Sequence, residues 1–75
     1  MVEAYVLIDC EVDSVLSVVE DVSRVEDVVD VDPVTGKHDV IARMDVDEVE
    51  RLRELVATEI HDSEGVEATL TCIAT

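Results

Sequence analysis

Residues 25–44 read VEDVVDVDPVTGKHDVIARM, in which two runs of strand-forming residues, 25–32 and 38–44, flank a short break. The break at 33–37 contains Pro33, which cannot continue a strand ladder, and Gly36, which is free to take a positive φ. Acids alternate with valines in the first run, which suits an edge strand because charge discourages unwanted pairing. These residues predict a β-hairpin.

Helical spacing of apolar residues precedes this hairpin. Asp13 or Ser14 can cap a helix, and the positions that follow show the i, i+3, i+4, i+7 spacing of one helix face. These positions are Val15, Val18, Val19 and Val22. Valine has a modest helix propensity, so packing of this face must stabilise the helix.

A second helical stripe follows the hairpin and runs to about His61. Asp45 or Asp47 can cap it, and Asp45 with Glu48 has the spacing of a capping box. The apolar stripe consists of Val49, Leu52, Leu55, Val56 and Ile60. The sequence therefore predicts one helix on each side of the hairpin.

Strand patterns at 3–11 and 66–74 complete the order βαββαβ. This order is typical of the split βαβ layout, an α+β ferredoxin-like plait whose four-stranded antiparallel sheet carries both helices on one face. We expect a single domain, residues 1–75, with no room for a second. Several strands are apolar on both alternating sets, so the uncovered face is expected to contact another subunit in a homodimer or higher homo-oligomer. The alternative is a sheet face exposed to water.

The charge of the chain is strongly acidic. Twenty acids against five bases give a formal net charge of −15. Lys37 is the only lysine, a skew that resembles proteins of salt-loving microbes, and self-repulsion is expected to weaken the fold at low salt. The alternative is an acidic surface that mimics or binds a basic partner. With no charged leader and no apolar run of about 20 residues, we expect a cytoplasmic protein and no membrane partner.

The residues that could carry chemistry are sparse. Cys10 and Cys72 do not form the CxxC pair of a metallochaperone, and we expect both to be buried, reduced and separate, near Ala68 and Val6 respectively. Tyr5 is the only aromatic residue, which together with the charge argues against RNA recognition.

Two histidine–aspartate neighbours, at 38–39 and 61–62, are candidates for catalytic or metal-binding groups. Nucleophilic catalysis needs a serine or cysteine beside a base that a third group orients. Adjacent strand residues point to opposite faces, so His38 and Asp39 cannot easily act together. Nothing in the spacing favours a metal, and two distant glycines exclude a phosphate-binding loop. We therefore expect no enzymatic activity, no cofactor and no metal.

Three segments carry a resemblance to a known family. They are Ala4-Tyr5-Val6-Leu7-Ile8, the hairpin sequence from Val34-Thr35-Gly36-Lys37-His38-Asp39 through Val40-Ile41-Ala42, and Gly65-Val66-Glu67-Ala68-Thr69-Leu70-Thr71. Together they resemble the opening strand, the "vTGxyD" hairpin and the "GV…T.T" ending of the effector-binding domain of Lrp/AsnC transcription regulators, the RAM domain. His38 stands where an aromatic residue is common, and Ala68 where a basic one is frequent.

The resemblance implies an assembly and a function. Family domains pack sheet to sheet as dimers, dimers can form octamers, and effectors, usually amino acids, bind between dimers. We therefore expect an amino-acid-sensing module that can also assemble with full-length regulators. The family's helix-turn-helix is not in this chain, so no direct nucleic-acid binding is expected.

The same resemblance implies a ligand site at Gly36, Asp39, Thr69 and Thr71. Exposed backbone at Gly36 can receive a carboxylate, Asp39 can accept from an ammonium, and threonine hydroxyls can do either. Each could equally be structural, as a turn glycine, a hairpin hydrogen-bonder or a strand threonine. If Asp39 is a surface ligand, Asp39→Ala should abolish binding and leave the fold intact. A purely structural dimerisation module, an ACT-like regulatory domain and a small ferredoxin-like enzyme stay open as alternatives.

Overall fold

Four strands and two helices follow one another along residues 1–75, all of which the computed structural model describes. The strands are β1 (Val2–Cys10), β2 (Val28–Pro33), β3 (Val40–Val46) and β4 (Val66–Ile73). The helices are α1 (Val15–Ser23), preceded by a 3-10 turn at Val12–Ser14, and α2 (Val49–Leu55), which continues into a π-helical turn at Val56–Ile60. This confirms the predicted α+β ferredoxin-like fold.

The sheet is antiparallel throughout and has the strand order β2-β3-β1-β4. The hairpin strand β3 and the opening strand β1 occupy the centre, and β2 and β4 form the edges. Leu7 on β1 lies opposite both Ile41 on β3 and Leu70 on β4. One end of the sheet therefore holds the turn of the hairpin, the end of β1 and the start of β4.

The core lies between the sheet and the two helices. Alternate residues of the central strands are buried there, and they meet the valine face of α1 and the leucine face of α2. The fully buried strand residues are Ala4, Val6, Ile8, Val40, Ala42 and Met44. No polar or charged residue is buried, so all the acids lie outside the core as predicted.

Both helix starts differ from the prediction. Ser14 occupies the position before α1 and Glu48 the position before α2, but neither side chain makes a capping hydrogen bond. The predicted capping box of Asp45 and Glu48 is wrong because Asp45 lies within β3, opposite Glu3 of β1. Pairing with β1 extends β3 to Val46 and leaves no room for a cap at Asp45.

The hairpin was predicted with boundaries that the structure shifts. β2 begins at Val28 rather than at residue 25, because Asp27 takes a left-handed conformation with φ 71°. Pro33, placed in the turn by the prediction, ends β2 opposite Val40. Proline is tolerated at the end of an edge strand because the missing N–H lies outside the ladder.

The two cysteines are free and on different sides of the molecule. Cys10 is buried as predicted, but Cys72 is exposed, because it lies on edge strand β4 and faces away from the helices. The partners also differ from those predicted: Cys10 lies opposite Val66 and Cys72 opposite Tyr5. The β1–β4 register differs by one residue from the predicted one, and the register shift after Asp9 moves Cys10 by one residue more.

Candidate functional site

A groove runs between edge strand β4 and the second helix with its π-helical turn. Its volume is about 580 Å³, within the range of small-molecule sites. Thr69, Thr71 and Ile73 point into it because their partners on β1 belong to the helix-facing side of the sheet. The groove is therefore built by the same strand alternation that builds the core.

The lining of the groove combines an apolar surface with a few polar groups. The apolar residues are Val49, Leu52, Val56, Ala57 and Ile73. The polar residues are Arg53, His61, Thr69 and Thr71. Twenty residues of the chain are acidic, yet none lines the groove. The arrangement can receive an apolar group together with a negatively charged one.

The π-helical turn places His61 at this groove. The His61 backbone N–H donates to the Val56 carbonyl over 2.7 Å, a bond that spans five residues instead of four. Such turns insert an extra residue into a helix and occur often at functional sites. Here the turn brings Ala57 and His61 to the same surface as Arg53.

Gly36 and Asp39 lie at the hairpin and not in the groove. Gly36 is exposed in the turn, with φ 150°, and a Cβ there would have no atom within 4 Å. The Asp39 carboxylate accepts a hydrogen bond from the backbone N–H of Cys10 over 2.9 Å. The Asp39 backbone N–H donates to the carbonyl of Ile8 over 3.0 Å. Asp39 thus ties the hairpin to β1 and is half-buried, unlike the loosely held surface acid that we expected.

His38 contacts a residue that the sequence did not indicate. Its Nδ1 lies 2.8 Å from the carboxylate of Asp9, and the His38 side chain is only 21% exposed. His38 and Asp39 act on different partners, in agreement with the expectation that they do not cooperate. Only the register of β1 against β3 brings Asp9 and His38 together, and no sequence pattern reports it.

The four residues implied by the family resemblance do not form one site within a protomer. Thr69 and Thr71 share the groove, whereas Gly36 and Asp39 stand at the hairpin outside its lining. Arg53 and His61 were not predicted as ligand-binding residues. Only a weak sequence signal pointed to these two residues. Arg53 directly follows Leu52 and His61 directly follows Ile60, so each is next to a member of the apolar stripe that forms the buried face of the second helix.

The thiol of Cys10, beside the hairpin, has a shifted pKa. Burial raises the pKa of the Cys10 thiol, and the nearby charges of Asp39, Glu67 and Asp9 raise it further. The thiol is therefore kept protonated. A protonated, buried thiol is a poor nucleophile, which fits a structural role for Cys10.

The sheet face opposite the helices is exposed and carries an apolar centre. On this face Tyr5 is 39% exposed and Leu70 is 52% exposed. Leu7 of β1 and Ile41 of β3 are half-buried there. At one side of this face Arg43 donates to Glu3 over 3.2 Å and to Asp30 over 2.7 Å. These hydrogen bonds raise the pKa of the Arg43 guanidinium.

Neither a metal cluster nor a membrane span is found in the chain. No three histidine, cysteine, aspartate or glutamate side chains are grouped in a way that could hold a metal ion. Neither helix has the length and apolar composition needed to cross a membrane.

Comparison with known proteins identifies relatives of the whole chain. The sequence profile described as Lrp/AsnC ligand binding domain matches residues 3–75. A protein of Thermus thermophilus with a known crystal structure is 35% identical, with a TM-score of 0.95, and the alignment covers 100% of this chain and 94% of that one. No curated protein sequence matches significantly.

Two further solved structures share the fold at lower identity. Escherichia coli AsnC is 15% identical with a TM-score of 0.91, over 97% of this chain and 50% of that one. A transcriptional regulator from Neisseria meningitidis, crystallised in complex with L-Met, is 13% identical with a TM-score of 0.88, over 99% of this chain and 49% of that one. This chain therefore corresponds to about half of each regulator.

Proposed function

The chain belongs to the Lrp/AsnC ligand-binding domain family, and we propose on that premise that it is a homo-oligomeric module that senses an amino acid in transcription regulation. The family match over residues 3–75 is the observation that carries this proposal. It is supported by relatives that are regulators of transcription and not enzymes. The L-Met complex of the Neisseria regulator supports an amino acid as the class of effector. A place in the cytoplasm follows from that role.

We propose that Gly36 and Asp39 meet Thr69 and Thr71 between protomers. The hairpin and the groove are separate within one chain, so an effector that uses both must lie where the hairpin of one protomer faces the groove of another. The Asp39 carboxylate already accepts from Cys10, but a carboxylate has several lone pairs and can also accept from an ammonium. The threonine hydroxyls can donate or accept.

The exposed sheet face is the proposed dimer contact. Leu7 and Leu70 lie opposite each other there, with Tyr5 beside them. An exposed apolar patch flanked by polar residues marks an interaction surface, and a two-fold dimer would place the same patch on both partners. Burying it would also add apolar contacts to a domain whose own core is small.

Residues 1–75 are not proposed to contact nucleic acid themselves. A formal charge of −15 opposes binding to phosphates, which depends on cationic side chains. Full-length regulators with the same domain are the proposed partners. The shared fold of AsnC supports such co-assembly.

A thermal-shift screen of the common amino acids tests the function. A ligand present at about a hundred times its Kd stabilises the native state by about 2.7 kcal/mol. We expect at least one amino acid to raise Tm, and Asp39→Asn to weaken its binding by up to about tenfold because the ammonium loses a charged partner. No shift with any amino acid would favour the purely structural module.

A further inference from the structure

We propose that the groove between β4 and the second helix binds small apolar carboxylates through Arg53, and that the carboxylate outweighs an ammonium group in recognition. This inference rests on the proposed effector-binding function and names the class of ligand at its groove. It predicts that 2-oxo acids, which lack the ammonium, are ligands of the same domain.

The distribution of charge in the chain favours a carboxylate in the groove over an ammonium. The chain has 20 acids in 75 residues, but the groove is lined by Arg53 and His61 and by no acid. An ammonium finds no carboxylate among the lining residues of the groove, whereas a carboxylate finds the guanidinium of Arg53. Arginine presents several N–H donors in a geometry that suits a carboxylate.

Arg53 is less engaged in ion pairs within the protomer than Arg24, Arg43 and Arg51. Arg24 and Arg43 hold carboxylates at 2.9 and 2.7 Å, and Arg51 pairs with three acids, Glu26 among them. Arg53 reaches only Glu50, at 3.9 Å, with both side chains at least 75% exposed. Such an exposed, distant pair contributes little. Arg53 is therefore the arginine most free to take a ligand's carboxylate.

The apolar lining of the groove favours anions that carry an apolar chain. Val49, Leu52, Val56, Ala57 and Ile73 line the groove together with Arg53, so an inorganic anion would leave most of the surface unused. A branched aliphatic chain gains from burial at about 25 cal/mol per Å² of apolar surface. The volume of about 580 Å³ admits such a chain together with its carboxylate.

The contribution of the ammonium is expected to be smaller. Its proposed partner, Asp39, belongs to another protomer's hairpin and already accepts from the Cys10 N–H. A shared acceptor of this kind gains less from an additional donor than the freely available Arg53 gains from a carboxylate.

Three probes with one aliphatic skeleton test the proposal by titration calorimetry. They are 4-methyl-2-oxopentanoate, L-leucine and 3-methylbutylamine, measured at the same KCl concentration. We expect the oxo acid to bind within about tenfold of L-leucine, and the amine at least about a hundredfold more weakly. An amine that binds as tightly as the acids, or the failure of all three probes to bind, would overturn the proposal.

Variants assign the binding to Arg53. Arg53→Gln should weaken both acids at least about tenfold, and Arg53→Lys should restore part of the loss because it keeps the charge. Arg24→Gln is the matched control, since it removes the same charge from the residue that follows α1, outside the groove. Asp39→Asn should weaken L-leucine more than the oxo acid, because only L-leucine carries the ammonium. Equal affinities for Arg53→Gln and Arg24→Gln, with the oligomer intact in sedimentation, would place the carboxylate elsewhere.

The outcomes separate this inference from the proposed function. If L-leucine or another amino acid binds but the oxo acid does not, the inference that the carboxylate dominates recognition is wrong. The proposal that the domain senses an amino acid is then unaffected. If no amino acid and no probe binds, both are wrong.

Discussion

The carboxylate of Asp39 should contribute measurably to stability, although it lies beside a turn. Asp39→Ala removes the acceptor of the Cys10 backbone N–H, which is held at 2.9 Å in a partly buried position. The N–H lies next to the register shift between Asp9 and Cys10, so the β4 ladder has no ready substitute acceptor. A hydrogen bond to a charged group contributes about 1.5–3 kcal/mol, and partial exposure favours the lower end.

A smaller effect of opposite sign accompanies this loss. Asp39 stands near other acids, and its charge, with those of Glu67 and Asp9, acts on the same thiol of Cys10. Removing one acid from a chain of net charge −15 relieves repulsion by about a few tenths of a kcal/mol in salt, since none of the other acids is buried and their charges are largely screened. The net destabilisation by Asp39→Ala is therefore about 1–2 kcal/mol.

Urea unfolding followed by circular dichroism measures this change. Asp39→Asn should lose less than Asp39→Ala, because the amide oxygen still accepts from Cys10. Asp32→Ala is the matched control: Asp32 is an exposed acid of the same hairpin with no side-chain bond, and its loss should stay within about 0.5 kcal/mol. Equal stabilities of Asp39→Ala and Asp32→Ala would refute the reasoning and restore Asp39 as a dispensable surface acid.

Three other substitutions or conditions test the remaining parts of the structure. Leu70→Glu should convert a dimer to a monomer in sedimentation, because it places a charge on the exposed sheet face. Leu16→Glu, at a 78% exposed position of α1, should leave the dimer intact. A dimer that survives Leu70→Glu contradicts the proposed contact. Gly65→Ala should cost more than about 1 kcal/mol in urea unfolding, because Gly65 has φ 92° and a new Cβ would lie 2.5 Å from the Ser14 Cβ; unchanged stability would show that the two loops can separate freely. The raised pKa of the Cys10 thiol means that the folded state holds its proton more tightly than the unfolded state, so stability is complete below about pH 8.5 and falls as pH rises through the folded-state value. Cys10→Ala should flatten that alkaline fall, and an equally steep fall in the variant would assign it to other groups.

The fold could be predicted because local signals agree with one another. Valines at helical spacing in α1, the Pro33 and Gly36 break between two strand runs, and alternation in the last strand all favour one order of elements. Boundaries were less accurate where tertiary contacts overrode local chemistry. Asp45 has the sequence features of a cap, but pairing of β3 with β1 makes it a strand residue.

The candidate site could be predicted only in part. Thr69 and Thr71 were named through the family resemblance, and strand alternation explains why both face the groove; their role as ligand-binding residues stays a prediction. Arg53 and His61 could not be found in this way, because the groove depends on how the second helix lies against β4 and on the π-helical turn. The structural bond of Asp39 was missed for a related reason, since the register that places Cys10 opposite the hairpin is a long-range property.

The net charge and the cationic groove have consequences that depend differently on salt. At low salt, the acids repel an approaching carboxylate over a screening length of about 10 Å, which lowers its association rate. At about 1 M salt that length falls to about 3 Å, so the distant acids lose most of their effect. In the proposed complex Arg53 meets the carboxylate at a hydrogen-bond distance of about 3 Å, no longer than that screening length, and Leu52 and Val56 contact the apolar chain. A domain with this charge distribution is thus suited to bind an anionic apolar ligand in a concentrated salt solution, where its own repulsion is screened and the local contact persists.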